Sequence, residues 1–205
     1  MVNTPRDTTD ETRSRDTIAE TRSRDTIAET RSRDTIAETR SRAWAAAAAV
    51  VDPELPVLSI ADLGVLRDVT VAADGTVEVT ITPTYTGCPA MRMIACEVEL
   101  ALDRAGLPGA RVRTVLAPAW TTDWMSEAGR DKLRAYGVAP PARGVRIAPP
   151  ARGAGRAALF GTETVACPRC GATDTERLAE FGSTACKALW RCRACREPFD
   201  HFKCH

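Results

Sequence analysis

An α+β fold in two folded parts is what this 205-residue sequence predicts, and three observations predict it. Between residues 43 and 138 the hydrophobic pattern runs helix, strand, strand, helix, strand, helix, the mixed order of a small α+β domain. Residues 139–160 are rich in Pro, Ala, Arg and Gly and repeat PPARG at 140–144 and 149–153, a composition that packs no core and reads as a linker. Residues 161–205 carry six of the chain's eight cysteines, which marks a separate, small, β-rich module.

Each element of the first domain has its own signal. Arg42–Val51 is alanine-rich and reads as a helix, stopped by Asp52-Pro53. Val65–Ala72 and Thr76–Thr82 alternate as strands do, around Asp74-Gly75 as a hairpin turn. Pro89–Gly106 places Met91, Ile94, Ala95, Val98 and Leu102 on one helical face, with Gly106 ending the helix. Arg111–Leu116 is a third strand, and a short helix from about Ser126 to Tyr136 closes on Gly137.

The first 42 residues are of another kind. Arg6–Ser14 reads RDTTDETRS, and RDTIAETRS follows three times, at 15–23, 24–32 and 33–41. At about 100° per residue, nine steps turn a side chain by about 180°, so Ile18, Ile27 and Ile36 would alternate sides and form no stripe. Nine Arg balance nine Asp plus Glu across residues 1–42. A disordered tail is expected, with the folded domain beginning at residue 43, so that deleting 1–41 leaves the fold nearly unchanged.

Composition is that of a globular protein, 44% hydrophobic and 27% charged with a net charge of +1. That balance argues against nucleic acid or an anionic membrane as partner. Ala43–Val51 is the one candidate apolar run; its nine residues are too short to span a bilayer and no cleavage-site pattern follows. A cytoplasmic protein is expected, in which clustered thiols stay reduced and more often bind metal than pair as disulfides.

The strongest motif is Cys167-Pro-Arg-Cys170-Gly171 followed by Cys192-Arg-Ala-Cys195. Two Cys-x-x-Cys knuckles about twenty residues apart are the spacing of a zinc ribbon. Two intervening residues let both sulfurs reach one tetrahedral ion from a tight turn, and glycine after the second lets the backbone turn away. Four thiolates close the shell, which makes a structural rather than a catalytic zinc site. So small a module has little apolar content to fold on, so the metal would supply much of its stability. Iron or an iron–sulfur cluster also suits four thiolates, and free cysteines in a small β module are the bland alternative. Cys186 and Cys204 are surplus to four ligands: they are alternative ligands, a second thiol pair that passes metal or sulfide, or small buried residues. His201 and His205 flank Cys204, where packing or surface roles compete with ligation.

Cys88 is the other thiol of interest. Pro83-Thr-Tyr-Thr-Gly-Cys-Pro-Ala90 comes off a strand and opens the long helix. With Pro89 at the first helical position, Cys88 would sit at the helix N-terminus, where the dipole and free amides lower a thiol's pKa. It is therefore a candidate soft-metal ligand or nucleophile, against the reading that it simply packs; Cys96, inside the helix, reads as core. No Glu-x-x-His pair, Gly-x-Gly-x-x-Gly run or Walker loop occurs, and both histidines lie at the extreme C-terminus. The first domain therefore has no di-iron, nucleotide or histidine acid–base signature.

Four runs, Asp52-Pro-Glu-Leu-Pro-Val57, Ser59-Ile-Ala-Asp-Leu-Gly64, Thr86-Gly-Cys-Pro-Ala90 and Pro118-Ala-Trp-Thr-Thr-Asp-Trp-Met125, resemble the small domain of iron–sulfur assembly factors of the SUF and cytosolic pathways. The C-terminal runs Cys167-Pro-Arg-Cys-Gly171, Phe181-Gly-Ser-Thr-Ala-Cys-Lys-Ala-Leu189, Cys192-Arg-Ala-Cys-Arg-Glu-Pro-Phe199 and Phe202-Lys-Cys204 resemble the tail of the PaaD family of the phenylacetate-CoA oxygenase (phenylacetyl-CoA epoxidase) system. The match covers residues 44–138 and 163–205 and leaves out the repeat and the linker. It implies an iron–sulfur-assembly-like α+β domain followed by a β-rich zinc-ribbon-like module. It implies an accessory role in aerobic phenylacetate degradation, without catalytic activity of its own: maturing oxygenase or reductase subunits by inserting iron or an iron–sulfur cluster. Carried over by position, Cys88 is the thiol of the assembly domain, which the resemblance implies is a transient ligand for iron or a cluster, and Asp52, Glu54 and Thr86 belong to the motifs around it.

Two other function classes compete. A zinc-ribbon module recruiting nucleic acid or a protein partner is one, though seven Lys plus Arg against six Asp plus Glu over residues 160–205 make a poor phosphate-binding surface. An electron-transfer component of the oxygenase is the other, and it requires a redox-active metal.

Overall fold

The computed structural model describes residues 35–143 and 164–203. Helix α1 covers residues 35–48. It is followed by strands β1 (Leu66–Val71) and β2 (Val77–Ile81), helix α2 (Met91–Arg104), strand β3 (Arg111–Thr114), a 3₁₀ turn at Thr122–Trp124 and helix α3 (Glu127–Tyr136). The order of elements is the one the sequence predicts. β1 and β2 pair antiparallel and β3 joins β2 in parallel, giving a three-stranded sheet in the order β1-β2-β3. The hairpin turns at Gly75 with φ +87°, and Asp74 accepts from the Thr76 amide at 2.9 Å. Ile94, Val98 and Leu102, four residues apart, form the buried face of α2 and join Val69, Val79 and Ile81 of the sheet in one core.

Helix α1 departs from expectation. It begins within the fourth repeat and takes in Thr35 to Arg42, so the folded part does not start at residue 43. The alanine run favours helix strongly, and extending an existing helix is far easier than starting one. Ala43 and Ala47 on successive turns are fully buried, and Arg40 donates to the Val69 carbonyl at 2.7 Å and to Asp68 at 3.0 Å. Repeat residues 1–34 lie outside the described residues.

The second sheet runs β4-β7-β6-β5, where β4 is Val138–Ala139, β5 Thr175–Ala179, β6 Lys187–Cys192 and β7 Pro198–Phe202. β4 pairs in parallel with β7, Val138 with Asp200 and Ala139 with His201. The expected linker therefore gives up its first residues to the fold. Ala139 is a buried member of the ribbon's core, and Arg130, 3% exposed, donates to the carbonyls of Pro141 at 2.5 Å and Thr122 at 2.6 Å. A buried guanidinium needs such acceptors. Residues 144–163 lie outside the described residues.

The two sheets share apolar contact. Phe202 and Cys186 of the ribbon belong to the same buried cluster as Leu63, Ile94 and Leu133. Among the described residues no helix is long and apolar enough to cross a membrane.

Candidate metal centre and thiol site

Two tight turns build the metal centre. In the first, the Cys167 amide donates to the Ala172 carbonyl at 2.9 Å and the Gly171 amide to the Cys167 carbonyl at 2.9 Å, with Gly171 at φ +75°. In the second, the Cys192 amide donates to the Glu197 carbonyl at 3.0 Å, and Arg196 takes the left-handed position at φ 66°. Glycine is free to adopt that conformation and arginine is not, so the second knuckle is the more strained of the two. Cys167 and Cys192 are buried, whereas Cys170 and Cys195 face solvent.

The four sulfurs lie within 4.8 Å of one another, with Cys167 to Cys195 at 3.8 Å and Cys170 to Cys192 at 3.6 Å. Sulfurs about 2.3 Å from one tetrahedral ion lie about 3.8 Å apart, so the cage fits one ion bound by thiolates. The apolar cluster beneath it is small, chiefly Val165, Trp190 and Phe199. Among the described residues this is the one group of three or more metal-ligating side chains so closely drawn. His201 is not in it. It is 2% exposed, stands edge-on to Trp190 at 6.0 Å, and burial, with Arg177 and Lys203 nearby, pushes its imidazole down to about 4. Cys204 and His205 lie outside the described residues.

The second constellation lies where the two modules meet. Asp52 ends the segment after α1, and its buried carboxylate accepts from the amides of Glu54 at 2.8 Å and Leu55 at 2.9 Å. That turn sets Glu54 facing the ribbon. Burial raises the Asp52 pKa, against the lowering effect of those two amides. Cys186 comes from the ribbon on a loop tied down at several points. The Gly182 amide donates to the Lys187 carbonyl at 2.7 Å, Lys187 N–H to the Thr184 carbonyl at 3.2 Å, and Lys203 N–H to the Cys186 carbonyl at 2.9 Å. Cys186 Sγ donates to Glu54 Oε2 at 3.3 Å and lies 3.1 Å from the Thr184 hydroxyl. Burial, and then the Glu54 carboxylate, push its thiol up to about 12.

Cys88 lies within the electrostatic reach of the same carboxylates. The Tyr85 side chain hydrogen-bonds its sulfur, and burial, then that thiol, push the phenol up to about 12. Helix α2 begins at Met91 with Ala90 as its N-cap, not at Pro89, so Cys88 precedes the helix instead of capping it. The expected thiolate is accordingly not favoured. Burial raises the Cys88 pKa, and Glu54 and Asp52 add to it, outweighing the Ala90 amide that donates to the sulfur. Thr86 is exposed on the same loop, and Cys96 is exposed on α2 instead of lying in the core. Sequence reasoning missed Tyr85 and Thr184. Their only signal is that each stands within three residues of a singled-out cysteine.

Asp62 anchors the frame around this site. It accepts from Ser59 and Ser126 hydroxyls, each at 3.0 Å, and from Lys132 at 2.6 Å. Burial opposes ionisation there, but these bonds outweigh it and hold the carboxyl below its usual range. Gly64, at φ +69°, lies against Trp124, where an added Cβ would come within 2.5 Å of the Trp124 carbonyl oxygen.

Comparison with known proteins places both halves. Residues 40–117 match the family model for iron-sulfur cluster assembly proteins, and residues 151–203 match the PaaD zinc beta ribbon domain. The chain is 47% identical over 161 residues, 78% of its length and 90% of the relative's, to an Escherichia coli (strain K12) protein named as the D component of a "Putative 1,2-phenylacetyl-CoA epoxidase". It is 43% identical over 82 residues to the Bacillus subtilis "Fe-S protein maturation auxiliary factor YitW", covering 40% of this chain and 79% of that protein. A Porphyromonas gingivalis "Fe-S protein maturation auxiliary factor" is 40% identical over 79 residues, 38% of this chain and 74% of that protein.

Proposed function

The chain belongs to the PaaD family of the phenylacetyl-CoA epoxidase system, and from that premise we propose that it matures its partner proteins by inserting iron or an iron–sulfur cluster. The observation that carries this reading is the union, in one chain, of an assembly-type domain that bears Cys88 with the zinc ribbon of the epoxidase system. The clients are the oxygenase and reductase of the ring-epoxidising complex in aerobic phenylacetate degradation, and the cargo is a substrate of this protein. Cys88 is the transient ligand of the assembly domain. The chain makes and breaks no bond of the epoxidised ring; its place is the cytoplasm, where thiols stay reduced.

Cys167, Cys170, Cys192 and Cys195 hold zinc in this reading. Four thiolates leave no open position for a substrate, so that ion fixes the ribbon and with it the loop that carries Cys186. The near balance of charge over residues 160–205 favours a protein partner over nucleic acid.

The test uses cells that lack this protein. Oxygenase and reductase purified from them should carry less iron and sulfide per polypeptide, and the intact chain supplied in trans should restore both. The Cys88→Ser chain should be stable and soluble yet leave the clients underloaded. Fully loaded, active clients from cells without the protein would end the maturation reading.

A further inference from the structure

Helix α2 is apolar on two opposite sides. Ile94, Val98 and Leu102 face the core. At about 100° per residue, Met93, Cys96 and Leu100 fall within about 60° of one another and nearly opposite that buried face. All three are exposed, Met93 at 58% and Leu100 at 40%. The outer side of a surface helix is ordinarily polar, so an apolar stripe there marks a surface that another molecule covers. The stripe borders a groove of about 520 Å³ between α2 and the end of α1, whose walls include Ala49, Val51, Pro53 and Ala101. Val51 is itself 51% exposed. Charges are sorted along one flank of the stripe. Arg92 stands at its N-terminal end and Glu99 and Asp103 at its C-terminal end, and among the described residues none of the three forms an ion pair. Glu97 and Arg104 lie on the other flank and line the groove.

We infer that this stripe is where two copies of the chain associate, with α2 packed antiparallel on the partner's α2 about a two-fold axis that passes between residues 96 and 97. The charges select both the occupant and its direction. In such a pair each flank faces the same flank of the other copy with its ends reversed. Arg92 then reaches the partner's Glu99 and the partner's Asp103, Met93 meets the partner's Leu100, and Cys96 lies beside the axis next to its own copy. A parallel pair would set Arg92 against the partner's Arg92 and acids against acids, which like-charge repulsion disfavours. Three apolar side chains and one groove per copy make an interface at the small end of specific ones, so the dimer forms reversibly in the micromolar range. Cys88 precedes the N-terminus of α2, so the two copies of that thiol stand at opposite ends of the pair, roughly 25 Å apart along its length. Each copy keeps its own thiol site, and the inference stands independently of what that thiol carries.

The experiment is sedimentation of the zinc-loaded full-length chain across the micromolar range. The mass should pass from one copy to two, and added salt should weaken the association because the flanking charge pairs are exposed. Leu100→Glu and Arg92→Glu should each weaken it at least about tenfold, the scale of an interface contact that matters. Arg92→Glu combined with Glu99→Arg and Asp103→Arg should restore it, because the swap returns opposite charges to each end. These positions are exposed, so retained zinc and an unchanged melting temperature show that each variant is folded. A short bismaleimide should join two copies through Cys96, seen as a peptide cross-linked between the two copies of that residue and lost in Leu100→Glu. A chain that stays monomeric at every concentration overturns the inference. So does a monomer that captures purified oxygenase through Leu100, which would give the stripe to a client. A dimer indifferent to Leu100→Glu has its interface elsewhere and overturns it too, and a charge swap that fails to restore association overturns the antiparallel pairing.

Discussion

The ring of Phe202 stands edge-on to that of Trp120, centroids 6.1 Å apart and planes at 79°. Trp120 in turn donates its indole N–H to the Leu63 carbonyl at 2.8 Å, so the last strand of the ribbon is anchored in the core of the first domain. Burying a phenylalanine there makes the two modules one unit. Phe202→Ala should cost about 3–5 kcal/mol through lost burial and a cavity. It should also loosen the contact between Cys186 and Glu54. Thermal unfolding followed at once by tryptophan fluorescence and zinc release should change from a single transition to two. A single transition at an unchanged temperature would show that the modules are not coupled through this ring pair.

The ribbon's dependence on its ion is tested at Cys170. Removing one of four thiolates leaves three ligands over a small apolar cluster, so Cys170→Ser should lose the metal and the structure of residues 164–203 together. Metal content and limited proteolysis report both. Stoichiometric zinc with a protease-resistant C-terminus in this variant would refute the four-sulfur assignment.

The raised pKa values of Cys88 and Cys186 have two consequences for pH dependence. Alkylation of Cys88, followed in a Cys96→Ser background with zinc bound, should be slow at pH 7 and accelerate as pH rises, because the thiolate is the reactive form. Glu54→Gln removes a negative charge beside Cys88 and should speed alkylation at every pH below the thiol's pKa. Both thiols ionise more readily in the unfolded chain, near pH 8.5 or so. Their contribution to stability is therefore complete below that pH and lost as pH climbs toward about 12, the value for Cys186. A Cys88 that alkylates at full rate at pH 7 would contradict the environment described.

Truncation separates the repeat from the helix that grows out of it. Removing residues 1–41 deletes half of α1, with the Arg40 bonds to Val69 and Asp68. It should lower stability by about 1–2 kcal/mol, the scale of a few helical and side-chain hydrogen bonds. Removing residues 1–34 spares all of these contacts and should cost less. Equal melting temperatures for the two truncated chains would place the start of the folded part after residue 41.

The sequence by itself determined the local elements and the metal cage. Strand alternation around Asp74-Gly75, the spacing of Ile94, Val98 and Leu102, and the paired Cys-x-x-Cys runs are patterns over a few residues, and backbone geometry converts them directly into a hairpin, a helix face and two knuckles. The boundaries followed less well. Where α1 begins depends on Arg40 finding Val69 and Asp68, and where the linker begins depends on Arg130 finding Pro141. Only the tertiary structure decided the surroundings of the two remaining thiols. Cys88 read alone is a helix-capping thiolate; half-buried and in the field of Glu54 and Asp52 it is a protonated thiol, because burial and then that negative charge outweigh what the Ala90 amide and the Tyr85 side chain offer. Cys186 read alone is a surplus cysteine, and its meeting with Glu54 spans 132 residues. No local pattern encodes that contact, since it exists only once two separately built cores are pressed together.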